Sequence, residues 1–176
     1  MTKKIVITGG LGYIGTELCR IYSGISWNNE IIVIDNRFLS ERVNQLRNWG
    51  MNFVHGDILD KDLVKKYCQN ADVVHHLAGI TEVPRVKSES NKDHDFKIKT
   101  VAEQGTQNVL DCISKKCKII LPSTHVVYEG IEKVKNNILE DETTKPILSY
   151  ASSKAVNEEQ LKNSGKNYII LRLGSV

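Results

Sequence analysis

The sequence predicts one α/β domain in which about six parallel strands form a doubly wound sheet with helices on both faces. Six short apolar runs alternate with segments of helical spacing, and the first run leads into a glycine-rich turn. The length of 176 residues suffices for one such domain and is too short for two ordinary ones. The expected strand order is 3-2-1-4-5-6, with ligands at the carboxyl ends of the strands.

The first strand and the first helix flank the glycine-rich turn. The apolar run over 5–7 precedes Gly9, Gly10, Gly12 and Gly15, which fit both G-x-G-x-x-G and G-x-x-G-x-x-G. Glycine permits the tight turn, lets the backbone approach a pyrophosphate and lets the helix pack closely on the strand. The helix then presents free N–H groups and its positive dipole end to phosphates. In this context the motif predicts a dinucleotide site of the Rossmann type.

The second predicted strand, over 30–34, ends in Asp35, which stands twenty residues after Gly15. A carboxylate at this spacing binds the adenosine ribose in dinucleotide sites. Asp35 favours NAD, because a carboxylate repels the 2′-phosphate of NADP. Arg37 could compensate for that charge, so NADP stays open as the less favoured cofactor.

The remaining elements are predicted from periodicity, capping residues and breakers. Ser40 and Asp60 are the candidate caps of the second and third helices. Pro122 is expected to end the fifth strand, since proline cannot donate to the ladder of a central strand. The other strands are predicted over 52–54, 72–77, 118–121 and 167–173, and the other helices over 40–49, 61–68, 95–114 and 146–163.

The last helix carries the residues best suited to chemistry. Tyr150 and Lys154 stand four apart, so they share one face and can point into one cleft. A nearby ammonium favours the phenolate, so the pKa of Tyr150 should fall and the phenol could act as a general base toward an alcohol. Thr124, at the exit of the fifth strand, can hydrogen-bond the same oxygen. The ordinary alternative is an exposed Tyr and Lys on a solvated helix.

These segments together resemble the extended short-chain dehydrogenase/reductases, the NAD-dependent epimerase/dehydratase family that acts on nucleotide sugars. The resemblance spans the whole chain and is carried by segments 8–15, 35–36, 56–58, 76–79, 122–124, 127–128, 150–154 and 171–173. It implies a catalytic triad of Thr124, Tyr150 and Lys154. It also implies cofactor contacts from Gly9, Gly12, Tyr13, Ile14, Gly15, Asp35, Asn36, Asp57, Ile58, Leu77, Ala78, Gly79, Tyr150 and Lys154.

Within that family the chain resembles a sugar 4-epimerase, of the UDP-glucose 4-epimerase type, more than a 4,6-dehydratase. Dehydratases usually follow the catalytic Thr with Asp-Glu, whereas His125 and Val126 follow Thr124 here. A dehydratase, a reductase and a non-catalytic NAD(P)-binding regulatory module stay as alternatives. The resemblance implies a substrate domain after the sixth strand, which is expected to be absent here, because the chain is either a piece of a longer enzyme or a naturally short protein. The expectation is an NAD(P)-binding domain over 1–176 with weak or no turnover of a nucleotide sugar by itself.

Composition and charge argue against several other functions. The net charge is +3 and both signs are interspersed, so no basic stripe predicts nucleic-acid binding. There is no apolar run long enough to span a membrane and no signal peptide, which predicts a cytoplasmic protein. Four cysteines without metal spacing predict free thiols and no metal site. The resemblance implies a homodimer formed through the helix over 95–114 and the helix that carries Tyr150.

Overall fold

Six parallel strands form one sheet in the order β3-β2-β1-β4-β5-β6, within the residues that the computed structural model describes, 2–25, 28–81, 91–132 and 137–174. The predicted fold class and strand order are therefore confirmed. The elements are β1 (Lys4–Thr8), α1 (Tyr13–Gly24), β2 (Glu30–Asp35), α2 (Ser40–Asn48), β3 (Asn52–His55), α3 (Lys61–Cys68), β4 (Val73–His76), α4 (Lys92–Cys112), β5 (Lys118–Thr124), a 3₁₀ helix (His125–Tyr128), α5 (Ser149–Asn163) and β6 (Asn167–Leu173).

Two apolar cores cover the two faces of the sheet. Successive side chains of a strand point to opposite faces, so Ile5 and Ile7 of β1 enter one core while Val6 enters the other. The first core includes Cys19 of α1 and residues of α2. The second core includes residues of α3 and α4, and Leu161 of α5. The helices are thus divided between the faces, which makes the sheet doubly wound.

The structure confirms one predicted helix cap and corrects the other. Asp60 precedes α3, and its carboxylate accepts hydrogen bonds from the backbone N–H groups of Asp62 at 3.1 Å and Leu63 at 3.0 Å. Ser40 is instead the first residue of α2, whose cap position is held by Leu39 without a side-chain hydrogen bond. A capping side chain acts from the residue just before the first turn, so a shift of one residue removes Ser40 from that role.

Pro122 does not end β5, which continues to Thr124 at the carboxyl edge of the sheet. Pro122 is paired with Leu171 of β6, whereas β4 pairs with β5 only as far as Ile120. The Pro122 carbonyl accepts a hydrogen bond from the Lys154 side chain, and it makes none with β4. A proline is tolerated in a strand where no neighbouring strand requires its missing N–H. The extra strand length brings β5 up to the site.

Two helices begin at residues other than those predicted. The long helix α4 begins at Lys92 instead of 95, because the side chain of Asn91 caps it by accepting from the backbone N–H groups of Asp93 and His94. The last helix, α5, begins at Ser149 instead of 146.

Candidate active site

The glycine turn is pressed against the exit of β4. Gly9 has a positive φ of 70°, and a Cβ added there would lie 2.7 Å from the Cα of Ala78. A Cβ added at Gly15 would lie 2.6 Å from the Cα of Gly10, so the first turn of α1 rests directly on the turn backbone. Both contacts are shorter than any side chain tolerates, which makes glycine a requirement at these two positions.

The N-terminus of α1 faces the carboxyl end of the sheet. Gly12 holds the cap position and offers no side chain to cap the helix. The first-turn N–H groups of α1 can therefore bind an anionic ligand. Tyr13 and Ile14 form that first turn, and 77% of Tyr13 and 39% of Ile14 are exposed. Both side chains are therefore accessible at the N-terminus of the helix.

Asp35 lies buried at the end of β2, beside the glycine turn. Its carboxylate accepts hydrogen bonds from the backbone N–H of Leu11 at 2.9 Å and of Arg37 at 3.0 Å. The Arg37 guanidinium also donates to it, with 3.2 Å between Nε and Oδ1. The segment after β3 contacts the end of β2, because the Asn36 side chain donates a hydrogen bond to the Asp57 carboxylate at 3.0 Å.

The exits of β3 and β4 complete the predicted cofactor edge. Ile58 is buried against α4, where a Cβ added at Gly105 would lie 2.3 Å from its Cδ1. Leu77 donates its backbone N–H to the Thr8 carbonyl at 3.1 Å, and Ala78 donates to the Thr8 hydroxyl at 3.3 Å. The structure therefore brings the predicted cofactor residues of β1, β2, β3 and β4 to one edge of the sheet.

Two buried histidines at the end of β4 were not part of the predicted site. His76 hydrogen-bonds Thr8 through Nδ1 at 2.8 Å and Thr106 of α4 through Nε2 at 3.0 Å. His75 points to the other face and hydrogen-bonds the Tyr22 hydroxyl at 2.8 Å. Burial lowers the pKa of His75 to about 4 and that of His76 to about 3, with the charge of Lys154 adding to the second shift. Both rings are therefore neutral at pH 7.

Tyr150 and Lys154 share one face of α5, as their spacing predicts. The Lys154 ammonium donates to the Pro122 carbonyl at 2.9 Å and lies 5.8 Å from the centroid of the Tyr150 ring. Burial lowers the pKa of Lys154 to about 8. Burial raises the pKa of Tyr150, so the expectation of a lowered value is wrong for the protein without ligands. Desolvation of the phenol is the cause of this rise.

Tyr150 and Lys154 line a small cleft together with the exit of β4. Its lining is formed by Ala78, Gly79, Ile80, Ile98, Ala102, Tyr150, Ser153, Lys154 and Asn157. The structure thus brings the predicted base and its ammonium next to two predicted cofactor residues, Ala78 and Gly79. Thr124 is buried at the end of β5 and is not part of this lining among the described residues. Its hydroxyl accepts from the Val126 N–H at 3.3 Å and caps the 3₁₀ helix.

The sequence patterns did not predict a buried ion pair between Glu158 of α5 and Arg172 of β6. Glu158 is 1% exposed and accepts from Ser123 Oγ at 2.6 Å and from Arg172 Nη2 at 2.6 Å. Glu158 follows Lys154 by four residues and Tyr150 by eight, so its place on their face of α5 was a readable signal. Its partner Arg172 stands fourteen residues further on, in β6, where no local pattern connects the two.

The cysteines are free thiols, as predicted, with Cys19, Cys68 and Cys117 buried and Cys112 half-buried. Within the described ranges, no group of three or more His, Cys, Asp and Glu side chains could hold a metal ion. None of the helices in those ranges is long and apolar enough to cross a membrane.

Curated relatives match most of this chain. CDP-paratose 2-epimerase of Salmonella typhi is 34% identical over 152 residues, which cover 80% of this chain and 42% of that enzyme. The dTDP-D-glucose 4,6-dehydratase of Dictyostelium discoideum is 31% identical over an alignment of 183 positions, gaps included, which covers 94% of this chain and 41% of that enzyme. The chain therefore spans less than half the length of these two relatives, and their names describe two different reactions.

Solved structures share the fold. UDP-glucuronic acid 4-epimerase from Bacillus cereus, in complex with UDP-4-deoxy-4-fluoro-glucuronic acid and NAD, superposes with a TM-score of 0.79 and 27% identity, covering 96% of this chain and 55% of that one. The family model described as 3-beta hydroxysteroid dehydrogenase/isomerase matches residues 6–171. These matches confirm the resemblance to the NAD-dependent epimerases and dehydratases. This chain belongs to the 3-beta hydroxysteroid dehydrogenase/isomerase family of enzymes, with nucleotide-sugar epimerases and dehydratases among its relatives.

Proposed function

We propose that this chain is the NAD-binding part of a nucleotide-sugar epimerase-type oxidoreductase, in which Tyr150 takes the proton of a sugar-ring hydroxyl. The supporting observation is the cleft in which Tyr150 and Lys154 adjoin Ala78 and Gly79. Because Ala78 packs on Gly9 of the glycine turn, the proposed base and the proposed cofactor site are neighbours. This chain covers less than half the length of the two curated relatives, so the sugar and the residues that bind it are proposals for the whole protein.

The residues at the edge of the sheet fit a dinucleotide. Gly9 and Gly15 let the turn close on the exit of β4 and let α1 pack on the turn, which is the compact geometry of a pyrophosphate-binding turn. Gly12 leaves the N-terminus of α1 uncapped for phosphate, and Asp35 supplies a carboxylate for the ribose. The proposed contacts are Gly9, Gly12, Tyr13, Ile14, Gly15, Asp35, Asn36, Asp57, Ile58, Leu77, Ala78, Gly79, Tyr150 and Lys154.

The chemistry of the chain itself centres on one proton. NAD held by these residues would supply the hydride chemistry, accepting a hydride from the sugar carbon and returning it to the other face of a keto-sugar that has turned over in the site. Tyr150 accepts the hydroxyl proton as that carbon is oxidised, which is general base catalysis. The Lys154 ammonium stabilises the phenolate that this role requires, against the burial that raises the pKa of Tyr150. We assign Thr124 a hydrogen bond to the same hydroxyl oxygen, because its Oγ1 accepts from the Val126 N–H and still has its own proton to donate.

The residues after Thr124 favour an epimerase or a reductase over a dehydratase. Loss of water from a sugar needs an acid to protonate the leaving hydroxyl. His125 and Val126 stand where dehydratases carry Asp-Glu, and His125 is exposed with its Nδ1 3.2 Å from the Leu173 carbonyl. A non-catalytic regulatory module is the alternative from another class, and it has no need of a phenol paired with an ammonium in a cleft.

Isothermal titration of the purified chain with NAD tests the cofactor assignment. We expect saturable binding of one NAD per chain, with weak or no epimerisation of a UDP-sugar by the chain alone. A titration without heat and without protection of the chain from proteolysis would contradict the cofactor assignment. Efficient epimerisation by this chain would contradict the assignment of the substrate pocket to another domain.

The Tyr150→Phe variant separates the enzyme from the regulatory module. In the full-length natural protein we expect kcat to fall roughly 10²–10⁴-fold, because the general base is lost. The affinity for NAD should change less than about threefold, since the phenol hydroxyl contributes at most one hydrogen bond to the bound cofactor. Tyr168→Phe, on the half-exposed edge strand β6, is the matched control and should leave both quantities unchanged. Full activity of Tyr150→Phe would exclude the proposed mechanism.

We also propose that the chain forms a homodimer through α4 and α5, which pack side by side. Phe96 of α4 is 71% exposed and would be covered in such a pair. Sedimentation equilibrium of the chain and of Phe96→Ser tests this, and a monomeric parent chain at high concentration would contradict it.

A further inference from the structure

Glu158 is the buried centre of a polar network at the base of α5. Its carboxylate accepts from the Ser123 hydroxyl at 2.6 Å and from Arg172, with 3.0 Å to Nε and 2.6 Å to Nη2. Burial alone would raise the pKa of Glu158, but the Arg172 and Ser123 hydrogen bonds lower it below its usual value. The residue is therefore a carboxylate at pH 7, held on both oxygens.

The network extends to both sides of Thr124. Ser123 precedes Thr124 in β5 and lies opposite Arg172 in the pairing with β6. The Arg172 guanidinium also donates to the hydroxyl of Tyr128, the last residue of the 3₁₀ helix that follows Thr124. Thr124 thus lies in the chain between Ser123 and Tyr128, which are linked to Glu158 directly and through Arg172.

The same carboxylate sets the position of α5. Tyr150, Lys154 and Glu158 follow one another at spacings of four residues, so they form one row along the helix. Lys154 is tied to β5 through the Pro122 carbonyl, and Glu158 is tied to β5 through Ser123. Two bonds at successive turns of the helix define both its distance from β5 and its rotation about its own axis.

Net stability is a weak explanation for a buried ion pair such as the one between Glu158 and Arg172. Replacing a buried ion pair by well-packed apolar residues is often neutral or stabilising. A bidentate pair between a carboxylate and a guanidinium adds geometric precision, because it constrains distance and angle together. The presence of a buried carboxylate at position 158 is therefore better explained by the geometry that it imposes on α5 than by a gain in net stability.

We propose that Glu158 is a positioning residue: through Ser123 and Arg172 it fixes the register of α5 on β5 and so places Tyr150 and Lys154 relative to Thr124. The importance of this geometry rests on the proposed function, but the geometry can be measured without cofactor or turnover. Neither Lys154 nor Tyr150 owes its shifted pKa to the charge of Glu158, since burial is the cause in both. A rise in the Lys154 pKa on altering Glu158 therefore reports movement, because the loss of a negative charge can only lower that pKa.

The test is the pKa of Lys154, measured by NMR of the chain labelled with ¹³Cε-lysine and assigned with Lys154→Arg. In Glu158→Gln we expect the Lys154 pKa to rise by about one unit toward its ordinary value, because a displaced helix lets water reach the ammonium. Loss of a negative charge without movement would lower it instead. Glu159→Gln is the matched control, because Glu159 is exposed and pairs with Lys162 at 2.7 Å. It should leave the Lys154 pKa unchanged.

Ser123→Ala keeps the experiment decisive if Glu158→Gln does not fold. That variant retains the ion pair and removes only the link between α5 and β5, so it should raise the Lys154 pKa by about half a unit. An unchanged or lowered Lys154 pKa in a folded Glu158→Gln chain overturns the proposal, as does an unchanged value in Ser123→Ala. Neither outcome affects the proposed function, which is tested by NAD binding and by Tyr150→Phe.

Discussion

The two sides of the cleft are built in different ways. On the glycine-turn side, backbone rests on backbone: the turn touches the exit of β4, and α1 touches the turn. On the α5 side, elements are joined by polar side chains, with Lys154 bonded to the Pro122 carbonyl and Glu158 bonded to Ser123 and Arg172. The first arrangement allows almost no variation in shape, whereas the second fixes position and electrostatics together.

Because of this difference, the two sides should respond differently to added side chains and to pH. Where an added Cβ would lie within 3 Å of neighbouring backbone, every side chain is excluded, so the effect is steric and independent of pH. A side-chain network responds to charge, because each buried group depends on the protonation state of its partner. His76 belongs to both sides: it hydrogen-bonds Thr8 at the start of the glycine turn, and the charge of Lys154 helps to lower its pKa.

The largest effect is expected from Gly9→Ala. Gly9 has a φ of 70°, and an added Cβ would lie 2.7 Å from the Ala78 backbone, so the added methyl group is both strained and overpacked. We expect a loss of roughly 2–5 kcal/mol in the free energy of unfolding, measured by urea denaturation. NAD binding should also be lost.

Gly50→Ala is the matched control for this substitution. Gly50 has a φ of 73°, and nothing lies within 4 Å of an added Cβ. The loss should therefore be about 1–2 kcal/mol, which is the conformational part alone. Equal losses in the two variants would show that the backbone contact of the turn contributes nothing.

A smaller effect is expected from pH. The pKa of His75 is about 4 and that of His76 about 3 in the folded chain, below the ordinary value of about 6.5 that applies when unfolded. Below pH 6.5 the unfolded chain binds protons that the folded chain does not, so stability falls as the pH falls. Between pH 7 and 5.5 we expect each histidine to lower the unfolding free energy by about 1 kcal/mol.

Urea denaturation at pH 7, 6 and 5.5 measures this dependence. His76→Asn, which cannot titrate, should remove about half of it, and the double variant with His75→Gln should remove most of it. A parent chain with the same unfolding free energy at all three pH values would refute the assignment of both rings as neutral.

The smallest effect is expected at Arg37, whose contact with Asp35 joins polar side chains on the glycine-turn side. The Arg37 side chain is 54% exposed, so the pair contributes at most about 1 kcal/mol. Arg37→Leu leaves the Asp35 charge uncompensated, which should weaken NADP binding roughly fivefold and change NAD binding less than about twofold. Isothermal titration with both cofactors measures the ratio.

Arg47→Leu is the control, because Arg47 is exposed on α2 and stands in its last turn. It should leave the ratio of the two affinities unchanged. If Arg37→Leu alters both affinities equally, the glycine-turn side has no charge-based selectivity and the contrast with α5 becomes sharper.

The sequence alone determined the local features of this protein. The glycine turn, the order of strands and helices, the cap at Asp60 and the shared face of Tyr150 and Lys154 depend on residues near one another in the chain. Spacing and backbone conformation are local quantities, so sequence patterns express them directly. The prediction failed where two candidates differ by one position, as at Ser40, whose neighbour Leu39 holds the cap position.

Only the tertiary structure decided burial and long-range pairing. Pro122 stays inside β5 because β4 pairs only to Ile120, a fact about a neighbouring strand. The pKa of Tyr150 is raised by burial, and Glu158 finds its partner in β6. Burial depends on which elements pack together, and the energy of a charge depends on its exposure to water. A sequence pattern can therefore place a phenol beside an ammonium, but only the packed fold determines which protonation state the pair favours.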